Sequence, residues 1–261
     1  MTTERPIPTV LSIAGSDSGG GAGIQADLKA FAACGVHGMT AITAITAQNT
    51  VGVDLIEVVS PAMIVAQIKA VADDIGVDAV KIGMLGDRPT IEAVAEGLDL
   101  LEGVPVVLDP VMVSVSGADL LATDARETLV DRILSRATVT TPNIPEARVI
   151  TGLAEAGQPE LARAIRELGV RVALVTGGHS EQMIDLYFDG EQEVRITGEV
   201  HSGRSAHGSG CTHSSALAAG LAQGLDPLEA ARKAREVASR AVAESLEEIG
   251  AGPGPVNALG L

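Results

Sequence analysis

Tryptophan is absent from the 261 residues, and the chain has one tyrosine and two phenylalanines. A row of aromatic side chains on which unpaired bases could stack is therefore excluded. Positive charge is scarce as well: 18 basic residues face 34 acidic ones, for a net charge of −16. Such a balance repels nucleic acid and anionic membrane surfaces, so neither is expected as a partner. A small anionic substrate stays admissible, because a local pocket can oppose the global field. The two cysteines, Cys34 and Cys211, sit in unlike contexts, one in an apolar helical run and one in a glycine turn. A disulfide framework is implausible, which fits a reducing cytoplasm. No apolar run reaches membrane-spanning length without a charge or a glycine. Residues 1–8 are short and polar and lack the apolar stretch of a secretory leader. The expected location is cytoplasmic.

Hydrophobic residues make up 46% of the chain, ample for a large core, which must be built from Val, Ile, Leu, Ala and Met. No linker or charge block divides the sequence, so one domain over 1–261 is expected. Period-2 and period-3.6 patterning predicts strands at 9–14, 38–48, 53–58, 79–82, 104–108, 138–141 and 170–176. A hairpin of strands at 184–188 and 193–197 turns at Asp189-Gly190. Helices are predicted over 24–34, 61–74, 89–101, 122–134, 160–168, 214–222 and 228–246. Alternation of this kind predicts an α/β fold with a mostly parallel sheet covered on both faces. In such sheets ligands bind at the carboxyl ends of the strands. Gly15, Gln48, Gly83, Asp109, Asn143, Gly177 and Gly208 each follow a predicted strand, so seven markers collect on one edge.

The stretch His207-Gly208-Ser209-Gly210-Cys211-Thr212 organises the rest. Two close glycines let backbone N–H groups point one way, and a helix beginning near Gly210 adds its unpaired first turn and positive dipole end. That makes a cradle for an oxyanion or phosphate. Cys211 in the same turn is expected to have a lowered pKa. The alternative is a strand-to-helix turn with a small buried thiol. Gly15 to Gly23 forms a second glycine-rich corner, matching neither a Walker A loop nor a dinucleotide fingerprint. It is either a ligand loop or a tight turn. Asp27, one turn into the following helix, is either a dipole-favouring acid or an acceptor facing a pocket. The amide of Gln48 can offer a donor and an acceptor to a heteroaromatic edge, or it can satisfy backbone groups. Asp109 and Glu146 could each be simple turn or helix-start acids.

The ordered motifs GSDSGGGAGIQADLKAF, AITAQNT, KIGML, VVLDPVMV, TPNIPEA, TGGH and HGSGCT resemble the ribokinase-like superfamily. Within it, they are most similar to the hydroxymethylpyrimidine/phosphomethylpyrimidine kinases of thiamine biosynthesis, over about Val10 to Ala243. The resemblance implies a three-layer α/β/α ribokinase-like fold, often dimeric. It also implies ATP and magnesium as cofactors and phosphorylation first of a pyrimidine alcohol, then of its monophosphate. By the same resemblance Gln48 and Asp27 hold the pyrimidine ring, and Gly15, Thr46, Met84 and Val111 line its pocket. Glu146, in Asn143-Ile144-Pro145-Glu146, helps place magnesium, and Asp109 is an acid on the phosphate side. Gly208, Ser209, Gly210 and Cys211 form the anion hole. Thr176 and Gly178 lie on the nucleotide side. Thr176 stands where these kinases often carry a lysine, a departure towards pyridoxal-type relatives, and Ser209 replaces the usual threonine. Gln48-Asn49 favours the pyrimidine. A non-catalytic ligand sensor would retain Gln48 and Asp27 but lose Glu146 or the cradle. A thiol hydrolase would pair Cys211 with His207 or His213.

Overall fold

The computed structural model describes residues 6–113, 117, 120–177, 183–199, 201 and 205–261. Among them nine strands form one sheet: β1 Thr9–Asp17, β2 His37–Gln48, β3 Val53–Val58, β4 Ala79–Ile82, β5 Val106–Leu108, β6 Val139–Thr140, β7 Val172–Val175, β8 Asp185–Phe188 and β9 Glu193–Ile196. Their spatial order is β3-β2-β1-β4-β5-β6-β7-β8-β9. The six strands from β2 to β7 in that order are parallel. β3 at one edge, and β8 and β9 at the other, run antiparallel to their neighbours. The helices are α1 Gly23–Ala33, α2 Pro61–Asp74, α3 Arg88–Asp99, α4 Arg126–Arg132, α5 Ile144–Thr151, α6 Gln158–Glu167, α7 Ser209–Ala222 and α8 Pro227–Ala243.

Alternation along β1 sends its side chains to two cores. Leu11 and Ile13 pack with Ile64 and Ile68 of α2, Ile91 of α3 and Leu161 of α6. Val10 packs on the opposite face with Phe31 of α1, Leu217 of α7 and Ala231 and Ala234 of α8. The sheet is thus the middle of three layers, and β4 and β5 are buried along their whole length. Strands covered on both faces read as unbroken apolar runs, which is the pattern of Val106-Val107-Leu108. With so few aromatic residues, the second core is closed by small side chains. α7 and α8 approach so nearly that a Cβ on Gly220 would stand 3.0 Å from the Cβ of Ala230.

Several expectations needed correction. β1 runs on to Asp17, so Gly15 lies inside a strand rather than after it. The helix expected over 122–134 is a 3-10 turn, Thr123–Ala125, followed by the short α4. α5 was not expected. Asn143 and Glu146 cap it reciprocally, and Gly152 ends it in the left-handed conformation. A capping box and a proline in the first turn both favour a helix start here, just after Pro142. Among the described residues no strand runs directly into the cradle, where His207 makes an isolated bridge to Pro255.

Candidate active site

Because the six central strands are parallel, their carboxyl ends share one edge, and most of the marked residues gather there. Gly15 on β1 faces Met84, which follows β4: a Cβ on Gly15 would lie 2.5 Å from the Met84 Cε. On β2, the Thr46 hydroxyl stands 2.8 Å from the Ser16 carbonyl and 3.2 Å from the Gln48 Oε1. Ser18 fixes the Gln48 backbone, donating to its carbonyl at 2.6 Å and accepting from its N–H at 2.8 Å. The half-buried Gln48 side chain is thereby held at the strand end. Val111 is half-buried beyond β5, its N–H 2.8 Å from the Asp109 carbonyl.

Asp27 is placed differently from its expected position on the ring. Its carboxylate is fully buried and faces inward. It accepts from Lys81 at 2.8 and 3.0 Å, from Ser12 at 2.6 Å and from Ser215 at 2.8 Å. Asp27 therefore ties α1 to β1, β4 and α7. Lys81 is equally buried, and sequence reasoning did not single it out; the signal was a lysine inside the apolar run Ala79-Val80-Lys81-Ile82. Burial pulls the Lys81 ammonium towards neutrality, but the Asp27 charge and hydrogen bond outweigh it and keep it protonated. Removing one partner of a buried pair typically costs about 3–5 kcal/mol.

The cradle sits at the start of α7. Gly208 is its N-cap, left-handed at φ 83°. The Ser209 N–H turns back to Ala206 at 3.0 Å, and the Thr212 N–H closes onto Gly208 at 2.9 Å. Between them the first-turn N–H groups of Gly210 and Cys211 point out of the helix end. Gly210 is exposed, while Ser209 and Cys211 are half-buried. The lowered pKa expected at Cys211 is corrected. Burial pushes the thiol up to about 12, against the pull of Lys81; the charges of Asp27 and Asp109 add to the rise, and the Gly23 N–H opposes it. Burial, with the two carboxylates adding to it, outweighs Lys81.

Asp109, at the end of β5, faces the cradle: Ser214 of α7 donates to it at 3.0 Å. Burial raises its carboxyl; Lys81 and Ser214 work the other way, and Asp27 adds to the rise. Glu146 in the first turn of α5 accepts the Asn143 N–H at 2.9 Å, and Asn143 accepts the Glu146 N–H at 2.8 Å. Burial and the neighbouring Asp109 charge push Glu146 up to about 8, although N–H groups of Asn143 and Met112 pull it down. Glu146, raised by the Asp109 charge, forms with it a donor set that a divalent cation relieves. No cluster of three or more His, Cys, Asp or Glu residues suited to a metal occurs among the described residues. The pair suits magnesium, which takes one or two carboxylates and completes its shell with water and phosphate oxygens. Thr176 lies beside them, its N–H on the Pro142 carbonyl at 2.8 Å and its backbone bridged to Asn143. Gly178 is outside the described residues.

Gly177, one residue on, donates to Asp185 at 3.0 Å. Asp185 in turn stands 3.3 Å from His213 of α7 and 3.8 Å from Arg235 of α8. Neither Asp185 nor Arg235 was marked in the sequence, because the cluster joins three distant segments. It also commits His213 to Asp185 rather than to Cys211.

The glycine loop has its own centre. The buried Asp17 accepts from the N–H groups of Gly19 at 2.8 Å, Gly21 at 3.0 Å and Ala22 at 2.8 Å. His207 lies 3.7 Å from the same carboxylate. Burial would raise this acid, yet His207 and the N–H groups of Gly19 and Ala22 hold it below the usual range.

The family described as phosphomethylpyrimidine kinase matches residues 17–257. A hydroxymethylpyrimidine/phosphomethylpyrimidine kinase of Rhizobium meliloti is 50% identical over 254 residues, covering 95% of each chain. One from Streptomyces coelicolor is 45% identical, covering 98% of this chain and 97% of the relative. Among solved structures, an ADP complex of Bacillus subtilis pyridoxal kinase superposes with TM-score 0.86 at 37% identity, covering 98% and 99% of the two chains. A phosphomethylpyrimidine kinase of Clostridium difficile gives 0.78 at 40% identity, over 88% and 96%.

Proposed function

The chain belongs to the phosphomethylpyrimidine kinase family, and we propose on that premise how its strand-edge site carries out the family's reaction. The protein is an ATP-dependent kinase that phosphorylates 4-amino-5-hydroxymethyl-2-methylpyrimidine and then its monophosphate, for thiamine biosynthesis. The observation that carries the assignment of parts is the meeting of two groups at one sheet edge. Gly15, Thr46, Gln48 and Met84 stand at the carboxyl ends of β1, β2 and β4, on the same edge as the acids Asp109 and Glu146 and the start of α7.

Gln48 pairs with the ring through an amide that offers both a donor and an acceptor. Met84, Gly15 and Val111 shape the apolar walls. Asp27 supports the pocket floor through Lys81 rather than touching the ring. The N–H groups of Gly210 and Cys211 stabilise charge on the transferring phosphoryl oxygens, and the dipole of α7 adds to them. Asp109 and Glu146 would hold magnesium, which would neutralise charge on the nucleotide phosphates. Thr176 and Asn143 border the nucleotide side. The alcohol oxygen forms the new bond to the γ-phosphorus as the bond to ADP breaks. A loose transition state demands little of a base. Cys211 therefore orients the alcohol as a neutral thiol, and the proton leaves to a phosphoryl oxygen. In the second round the acceptor is already an ionised phosphate and needs no orientation by the thiol.

A homodimer is part of the same proposal. The edge strand β3 is exposed along most of its length, with Leu55 at 72% and Ile45 of β2 at 54% exposure. An apolar sheet edge of this kind marks an interaction surface. Light scattering of the parent and of Leu55→Asp checks it; two monomers would contradict it. No helix among the described residues is long and apolar enough to cross a membrane, and a cytoplasmic location suits the reaction. The decisive experiment is ATP consumption with the pyrimidine alcohol, its monophosphate and pyridoxal offered separately. Turnover of pyridoxal alone would sink the pyrimidine assignment, and Thr176 would then be the residue to exchange for lysine.

A further inference from the structure

Asp17 has no place in the roles assigned above, yet it holds more backbone than any acid in the site. Its Oδ1 accepts from Gly19, and its Oδ2 accepts from both Gly21 and Ala22. The loop these bonds shape touches both halves of the site. At one end Ser18 exchanges two hydrogen bonds with the Gln48 backbone. At the same end Gly19 lies so near Asn49 that a Cβ would stand 3.2 Å from its Cα. At the other end Gly21 packs on the His207 ring, and the Gly21 carbonyl abuts Gly208, where any Cβ would collide with it. Lys29 of α1 donates to the Gly20 carbonyl at 2.7 Å, and Gln25 accepts the Asp17 N–H at 2.9 Å. The loop is a bolted strut between ring pocket and cradle.

We propose that Asp17 is a positioning residue that couples the pyrimidine pocket to the phosphate cradle by holding this strut. The proposal rests on the reading of Gln48 as ring contact and Gly208 to Cys211 as cradle. Only a carboxylate serves here. It offers acceptors on both oxygens, whereas an asparagine turns an N–H₂ donor towards either Gly19 or the Gly21 and Ala22 pair. A donor facing donors leaves buried N–H groups unpaired. The strut then loosens at both ends, shifting Gln48 through Ser18 and Gly208 through Gly21. From the cradle side His207 lies 3.7 Å from the same carboxylate and ties it to the turn it positions.

The test compares Asp17→Asn, His207→Ala, Ser18→Ala and Gln48→Ala in steady-state kinetics with the pyrimidine alcohol and ATP. Each variant is checked for folding by thermal melting. Asp17→Asn is expected to raise KM for the alcohol and lower kcat, each by about tenfold, the loss of roughly one buried hydrogen bond. Ser18→Ala should raise the alcohol KM with kcat near the parent, and His207→Ala should lower kcat with that KM near the parent. A folded Asp17→Asn with kcat and KM both within about twofold of the parent, a change smaller than one hydrogen bond, overturns the proposal. So does a change in only one of them. Should Asp17→Asn not fold, Ser18→Ala and His207→Ala decide alone, and parental values in both overturn it. An unchanged alcohol KM in Gln48→Ala defeats the ring reading instead, while the kcat response of Asp17→Asn and His207→Ala still reports on the strut.

Discussion

Two glycine turns open two helices in this protein, α1 and α7, and they are used in opposite ways. The loop before α1 turns its N–H groups inward, onto Asp17. The turn before α7 leaves the Gly210 and Cys211 N–H groups facing outward, because Gly208 is left-handed and no carboxylate of its own segment reaches them. Glycine content makes such turns possible, and the neighbouring acid decides what they bind. A loop that carries its own carboxylate is already occupied; one that lacks it is available to a phosphate.

The contrast breaks most completely at Gly208. Gly208→Ala places a Cβ at φ 83° against the Gly21 carbonyl. A non-glycine residue held there costs about 1–3 kcal/mol before the collision is counted. Thermal melting should show the loss, and turnover should fall by more than about 100-fold through displacement of cradle donors.

Next in size is Glu146→Gln, which removes one of the two acids beside the outward-facing turn. Turnover should drop and the magnesium concentration for half-maximal rate should rise; a titration superimposable on the parent would contradict the role. The same variant has a pH signature. Glu146 titrates near 8 in the folded chain and near 4.3 when unfolded. The folded state thus holds the proton more tightly, so this group subtracts stability as pH rises from about 4.3 to about 8. Without magnesium, Glu146→Gln should melt higher than the parent at pH 8, and the difference should vanish below about pH 4.

Gln48→Ala tests the end of the inward loop. Loss of a buried partner costs about 1–3 kcal/mol of pyrimidine binding, with ATP binding nearly unchanged; titration calorimetry with each ligand checks the split. The smallest effect is expected at Cys211. A general base contributes about 10²–10⁴-fold. A thiol pushed up to about 12 stays protonated, so Cys211→Ser should slow the first phosphorylation by less than about 10²-fold and leave the second untouched. A larger loss, confined to the first step, would make Cys211 a general base instead.

The order of strands and helices was legible because it rests on local periodicity: Val106 to Leu108 is an unbroken apolar run, and Pro61 stands at a favoured first helical position. The region around Pro142 was harder to read, since the capping pair Asn143 and Glu146 is interrupted by Pro145 and preceded by Pro142. Gln48, Asp109 and Glu146 could be marked as strand-end or helix-start polar groups, though each kept a structural alternative until the fold brought them to one edge. What the chain alone determined is therefore the layered α/β architecture and which side chains stand at its strand ends, because hydrophobic spacing and turn chemistry act over a few residues. Only the tertiary structure decided that Asp27 turns inward to Lys81, that Asp17 occupies its own glycine loop, and that Cys211 remains a thiol. Those outcomes depend on burial and on charges brought together from β1, β4, β5 and α7, far apart in sequence, and no local pattern encodes such a balance.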